Sequence, residues 1–397
     1  MGCGRYDARH PATRPPMSAA SRLAGFYFAY FCYLGTFVAY FSLWLAGRGY
    51  PPAEIAAVLA VPQFVRIVAP AAWGWIADLW SERFPGGRRG IVAVSSAFAA
   101  ASLGALGFVD ALGAVFACVA LMALFSAGVL PLVEATTLAA LGGRTEGYGP
   151  VRLWGSLGFI ASVLAAGALL DRQPVGVLLP VIVVLMVFAA LAALGLPGVR
   201  AVPAEEGAAE LARVLREPRV RALFAACFCM SVAHGALYAF YSIYLVEAGY
   251  SKTLVGLLWT LGVLAEIALF LALPALFRRF SLRAVLLASF AAAAVRFVAI
   301  GWGVSSLALL ASAQLLHALT FGAYHAAAIA AVHRLFSGPL AVRGQALYAS
   351  LSYGLGGAVG MLLAGWTWGA LGPGITFSVS AAFGLAGCAL VAWKVRV

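Results

Sequence analysis

The sequence is poor in charge. Of its 397 residues, 10% are Asp, Glu, Lys or Arg, against about 25% in an ordinary soluble domain. Only 14 are acidic, and of the 26 basic residues only Lys252 and Lys394 are lysines. So few charges cannot cover the surface of a water-soluble fold of this length, which excludes an ordinary cytosolic enzyme and a disordered chain. The cysteines (Cys3, Cys32, Cys118, Cys227, Cys229 and Cys388) lie in apolar segments or in the N-terminal tail. None is spaced as a disulfide framework or a zinc site, and they read as small packing residues. Walker patterns, metal-ligand spacings and nucleophile–base constellations are also missing. Neither ATP-driven transport nor enzymatic chemistry is implied, and no cofactor or metal.

What the sequence has is hydrophobicity, at 64% of residues. A bilayer-crossing helix needs about 20 mainly apolar residues. Twelve such runs can be read, at 22–46, 53–77, 90–109, 111–141, 152–170, 174–195, 219–246, 252–276, 284–303, 305–335, 344–370 and 374–393. The expectation is an all-α membrane protein with twelve transmembrane helices in two six-helix, pseudo-symmetric bundles. The bundles are 22–195 and 219–393, joined by a charged linker at 196–218, with tails at 1–21 and 394–397. Residues 1–20 are polar and Pro-rich without the apolar core of a signal peptide, and Met17 is an alternative start.

The net charge of +12 follows topology. With the N-terminus in the cytoplasm, inner segments hold 21 Lys/Arg and outer loops hold three, Arg48, Arg172 and Lys252. That seven-to-one bias places both termini in the cytoplasm of a multi-pass inner-membrane protein. Nucleic acid is not expected as a partner. The expected partners are a small molecule, protons and the lipid bilayer, and the chain reads as a monomer.

A shift of 200 residues aligns the halves without a gap. Residues 35–50, GTFVAYFSLWLAGRGY, and 235–250, GALYAFYSIYLVEAGY, agree at six of sixteen positions, including Gly35/Gly235, Ser42/Ser242, Gly49/Gly249 and Tyr50/Tyr250. Parallel six-helix repeats place a substrate near the midplane between them. The same shift pairs Arg66 with Glu266, both near mid-membrane. A charge there costs roughly 2.5–3.5 kcal/mol on insertion scales and persists where it faces a cavity or a partner. The expectation is that the two face each other across a central cavity.

Other polar groups within the spans are Glu134, His234, Arg296, His317 and His325. In an α-helix His317 and His325 stand about 80° apart, on one broad face. Aromatic residues recur on span 1 (Tyr30, Tyr33, Phe37, Tyr40, Phe41, Trp44), and His234, Tyr238 and Tyr241 share a face of span 7. Such faces suit an aromatic ring or hydroxyl groups, or serve helix packing. Tyr324, beside His325, joins the substrate-binding candidates. Arg66, whose guanidinium can grip a carboxylate in a bidentate pair, heads them.

The strings PQFVRIVAPAAWGWIAD (62–78), VRLWGSLGF (151–159), GYSKTLVGLLWTLGVLAEIALF (249–270), HALTFGAYHAAAI (317–329) and GQALYASLSYGLGG (344–357) carry a resemblance. The chain resembles the major facilitator superfamily, in the proton-coupled branch that contains the 3-phenylpropionate permease and is related to lactose permease. The resemblance implies a gating loop, matched by Gly74, Asp78, Gly87, Arg88 and Arg89, with Leu79 in place of its first basic residue. It also implies a Glu–Arg–His grouping, matched by Glu266, Arg296 and His317 or His325, with Glu134 as a second proton site or a partner of Arg152 or Arg144. The carboxylate expected beside the span-10 histidine is missing. The implied function is alternating-access, proton-coupled symport of a small organic solute, an aromatic monocarboxylate such as a phenylpropionate-like acid. Proton-driven efflux of a hydrophobic compound, sugar or nucleoside symport, and a transport-dead sensor are the alternatives.

Overall fold

In hydrocarbon no water satisfies backbone N–H and C=O groups, so a chain this apolar must satisfy them within helices. The computed structural model describes residues 18–83, 87–141, 147–198, 208–336 and 340–395, and among them no strand occurs. The helices are α1 (Ala19–Gly47), α2 (Pro52–Arg66), α3 (Ala69–Arg83), α4 (Gly87–Ala105), α5 (Leu112–Ser126), α6 (Val129–Ala140), α7 (Tyr148–Leu170) and α8 (Leu178–Ala193). After α9 (Ala208–Leu215), which lies within the charged stretch 196–218, come α10 (Pro218–Glu247), α11 (Lys252–Arg279), α12 (Leu282–Trp302), α13 (Leu307–Leu315), α14 (Tyr324–Leu335), α15 (Ala341–Tyr348) and α16 (Gly357–Lys394). Two π-helical segments, Ala318–Ala323 and Ala349–Gly356, join α13 to α14 and α15 to α16.

Among the described residues, ten helical stretches are long and apolar enough to cross a membrane, and the pair α2–α3, bent by 43°, adds an eleventh. The last stretch runs 54 residues, from Ala341 to Lys394. At 1.5 Å per residue it would measure about 80 Å, far beyond a hydrocarbon core of about 30 Å. Gly372, at φ +81°, breaks it beside Pro373, giving two crossings and twelve in all. The twelve runs read from the sequence are these twelve crossings, and an even number places both ends on one membrane side.

The 200-residue repeat recurs in three dimensions. α1 and α10 both end in a glycine at positive φ, Gly49 at +82° and Gly249 at +91°. The Tyr50 amide returns to the Leu45 carbonyl and that of Tyr250 to Leu245, while Gly49 and Gly249 return to Ala46 and Val246. This double closure needs a left-handed residue, which only glycine adopts without strain. The tyrosine hydroxyls then donate to equivalent loops, Tyr50 to the Asp110 carbonyl and Tyr250 to Val304.

The first six and last six crossings meet chiefly through two helix pairs, α7 with α11 and α2 with α16 and the π segment before it. At the membrane side away from the termini this junction is a polar seal. Asp171, at the end of α7, accepts from the Lys252 amide (2.7 Å), the Thr253 amide (2.9 Å) and the Thr253 hydroxyl (2.5 Å). Lys252 and Thr253 open α11, so the carboxylate caps its free N–H groups and meets the positive end of its dipole. Just inside, the Tyr40 hydroxyl reaches the carbonyls of Val163 and Lys252, both at 3.0 Å. The close approach depends on Gly167 and Gly256, where an added Cβ would fall 2.6 Å from the Lys252 carbonyl oxygen and 2.7 Å from the Tyr40 hydroxyl.

Candidate functional site in the membrane interior

Two prolines create the Arg66 site. Pro70 lacks the N–H that the Arg66 carbonyl would accept in a continuous helix, and Pro62 leaves a similar gap about two turns earlier. The span therefore breaks between Arg66 and Ala69. From the other half of the chain, the Ser350 hydroxyl donates to the carbonyl of Ile67, within this break, at 2.9 Å. The Arg66 side chain is exposed. Tyr30 of α1, Tyr238 of α10 and Tyr353 of the second π segment lie within its electrostatic reach. Tyrosines of both halves thus feel the same cation.

Glu266, on α11, pairs with the His317 Nε2 at 3.5 Å, both largely buried. No ion pair links Glu266 to Arg66 among the described residues. Arg152 and His325 reach it electrostatically, and Tyr238 feels Glu266, Arg66 and Arg296 together. The charges at 66 and 266 are therefore the ends of a polar surface on which Tyr238 is common ground.

The π segment changes the expected spacing of the histidines. A π turn takes in about one residue more than an α turn's 3.6, so positions four apart nearly eclipse. His317 stacks on Phe321 (centroids 5.2 Å, planes 8° apart), and Phe321 stacks on His325 (6.1 Å, 15°). The separation of about 80° collapses into one column of rings. At its far end His325 Nδ1 shares hydrogen bonds with the Tyr353 hydroxyl at 2.8 Å and the Tyr348 hydroxyl at 3.3 Å.

Arg296 is not joined to Glu266. It is fully buried and donates from Nη1 to the Thr320 hydroxyl (2.8 Å) and from Nη2 to the Gln314 side-chain oxygen (3.2 Å). Arg152, at the start of α7, lies over the rings of Phe31 (4.1 Å) and Tyr27 (5.6 Å). It reaches both Glu134 and Glu266, while the Tyr148 hydroxyl donates to Glu134 Oε1 at 3.5 Å. Arg144, the other expected partner of Glu134, lies outside the described residues.

Other candidates are placed differently. The Tyr33 hydroxyl donates to the Met122 sulfur, and that of Tyr324 to the Cys227 carbonyl. Both rings are buried within their own halves. His234 binds the Met230 carbonyl through Nδ1, with Phe297 edge-on to its ring. Tyr241 is wholly buried, at right angles to Trp259. Of the gating-loop residues, Gly74 lies within α3, and Arg88 and Arg89 lie in the first turn of α4, Arg89 exposed. Residues 84–86 and the Asp78 side chain lie outside what the structure describes.

Tyr348, Tyr353, Phe321, Gln314 and Thr320 were not singled out by sequence reasoning, and Arg152 only as a partner for Glu134. Gln314 had a readable signal, a lone amide inside an apolar run. The tyrosines had none, because only the π segments turn them toward His325.

Twelve crossings in a repeated arrangement, with a few charged groups at mid-membrane, are the architecture of a multi-pass membrane transporter. A family model described as the MFS_1-like family matches residues 20–379. The "Probable 3-phenylpropionic acid transporter" of Escherichia coli (strain K12) is 31% identical over 365 residues, covering 88% of this chain and 91% of that protein. The maltose permease of Geobacillus stearothermophilus is 28% identical over 281 residues, 69% of each chain. The chain belongs to the MFS_1-like family, within the major facilitator superfamily; it is a transporter and not an enzyme. The nucleoside transporter NupG (D323A mutant) superposes with a TM-score of 0.84 at 16% identity, covering 96% of this chain and all of that one. A bacterial homologue of the lysosomal transporter Spinster gives 0.65 at 15% identity, covering 95% and 92%. At such identities these two show the fold alone.

Proposed function

We propose that the protein is a proton-coupled symporter of a small aromatic monocarboxylate, a phenylpropionate-like acid, working by alternating access in the inner membrane with both termini cytoplasmic. The observation that carries this reading is the exposed Arg66, within electrostatic reach of Tyr30, Tyr238 and Tyr353 and not paired with Glu266, which pairs with His317. A guanidinium free of ion pairs among the described residues is available to a ligand's carboxylate. The phenols around it suit an aromatic ring. Glu266 is the proton-accepting carboxylate, with His317 as its partner and the Phe321–His325–Tyr353 column leading from it toward Arg66. Tyr238, in reach of both charges, links occupancy of the solute site to the state of the acid. The printed name of the E. coli relative supports the substrate class, and the arginine distribution supports the orientation.

The test is transport by purified protein in proteoliposomes. Adding 3-phenylpropionate outside should draw protons inward and alkalinise the external medium, and Glu266→Gln should abolish this coupling. Uptake indifferent to the proton gradient would overturn the reading.

A further inference from the structure

A groove on the outside of the first bundle plays no part in the proposed cycle. It measures about 410 Å3 and is lined by Ser21, Ala24, Gly25 and Phe28 of α1 and by Trp154 of α7. Just beyond it the two helices are in backbone contact, where an added Cβ at Gly158 would fall 2.3 Å from the Phe28 carbonyl oxygen. At Gly25 an added Cβ would meet nothing within 4 Å, so the floor of the groove is bare helix. Successive residues of an α-helix turn by about 100°, which sets Gly25 opposite Tyr27. Leu23, Phe26 and Tyr27 are 0% exposed and belong to the core of the bundle. The Phe28 and Trp154 rings, edge-on at 6.4 Å, are instead 36% and 48% exposed. The groove therefore opens outward, away from the polar interior.

Its depth and its lining select the occupant. At 1.5 Å per residue, Ser21 to Phe28 lies within about 15 Å of the start of α1, one leaflet of a hydrocarbon core of about 30 Å. The polar groups stand at the end nearest the helix start. The Ser18 and Ser21 hydroxyls are 2.9 Å apart, and both residues are exposed. On the same turn Arg22 leaves its Nε buried without a hydrogen-bond partner, and no carboxylate pairs with it among the described residues. Deeper in, the lining is a methyl group, bare backbone and two aromatic rings. The occupant must then be apolar along its length, with an anionic acceptor at one end for the guanidinium and the hydroxyls. The chain's own residues 1–17, MGCGRYDARHPATRPPM, contain no apolar run that fits. Trp154 adds the side chain that favours the boundary between membrane and water.

From this we infer that the groove holds one phospholipid of the leaflet nearest the two ends of the chain. An acyl chain lies along Ala24 and Gly25 against the Phe28 and Trp154 rings, and the headgroup phosphate meets Ser21 and Arg22. The site is separate from Arg66 and does not depend on what solute the transporter carries.

Native mass spectrometry of the purified protein tests this, with palmitoyl-oleoyl phosphatidylglycerol added back after delipidation in detergent. The wild type should retain a single lipid at concentrations where no further lipid binds. Gly25→Phe puts a ring where the acyl chain lies, and should cut that retention about tenfold or more. Because the position is open, the thermal midpoint of this variant without lipid should equal or exceed that of the wild type. The rise that the lipid gives the wild type, as a ligand of the folded state, should be lost in it. Arg22→Gln should reduce retention several-fold, and Leu191→Phe, on the exposed surface of α8, should leave it unchanged. Because Gly25→Phe can fail to fold, Arg22→Gln decides by itself: retention equal to that of the wild type overturns the inference. So does graded uptake of many lipids without a first tight one, which would mean ordinary surrounding lipid. Displacement of the bound lipid by 3-phenylpropionate, one for one, would make the groove a path for the solute and also overturn it.

Discussion

The seal between α7 and α11 and the polar interior at mid-membrane use polar groups in opposite ways. At the seal, Asp171 takes three hydrogen bonds and the Tyr40 hydroxyl two, and glycines bring the backbones together. In the interior, Arg66 is exposed without an ion pair among the described residues, and among them buried nitrogens on Arg296, Gln314, His234 and His317 lack hydrogen-bond partners. A satisfied junction holds a shape, whereas an unsatisfied one is built to receive something. On the proposed reading, the contrast separates the part that closes from the part that binds.

Substitutions can break or sharpen that contrast, and the largest effect should come from the cavity's acid. Glu266→Gln should eliminate proton-driven accumulation in vesicles while leaving binding of 3-phenylpropionate measurable by calorimetry. Loss of both together would place Glu266 in the solute site itself. Arg66→Ala should weaken binding of the acid by about 10–100-fold, the value of a charge-assisted pair. It should leave the corresponding amide unaffected, and Arg66→Lys should restore part of the loss. Equal losses for acid and amide would assign Arg66 a packing role.

The seal should respond differently. Gly167→Val drives a side chain into the Lys252 carbonyl and should expose the cavity to the far side. Labelling of a cysteine placed there should rise several-fold. Asp171 gives a milder, pH-dependent version. Burial works against its charge, but hydrogen bonds from the Thr253 side chain and backbone and from the Lys252 backbone, with the Lys252 charge, prevail. They hold the Asp171 carboxyl below its usual range. A carboxylate held low in the closed form favours closure above that range, and the contribution fades as pH falls through the lowered value. Labelling should therefore rise with acidification in the wild type and lose that dependence in Asp171→Ala. Smallest of all, Tyr353→Phe should slow transport a few-fold by removing one hydrogen bond from His325 while leaving binding at Arg66 intact.

The crossings were legible because burial in lipid demands long apolar runs, and the repeat was legible because Gly49 and Gly249 perform the same backbone task. Arg66 and Glu266 were legible because mid-membrane charge is rare. Their relation was not, since a 200-residue shift reports equivalence between halves and says nothing of distance. A direct Glu266–Arg296 contact is absent for a similar reason: His317 pairs with Glu266, while Gln314 and Thr320 occupy the guanidinium, and neither carries a charge that sequence reading would weigh. The π segments escaped because i→i+5 bonding leaves no periodic mark in a uniformly apolar stretch, and with them went Tyr348 and Tyr353.

The bond from Ser350 to the Ile67 carbonyl has a consequence for the whole cycle. A backbone oxygen in the break between α2 and α3 accepts here from a hydroxyl of the opposite half of the chain. Under the alternating access we propose, rocking the halves apart along α2 and α16 would remove that donor at membrane depth, where only incoming water could replace it. On that reading wetting of this hinge is coupled to the swing of the halves, and the transporter would not change sides dry.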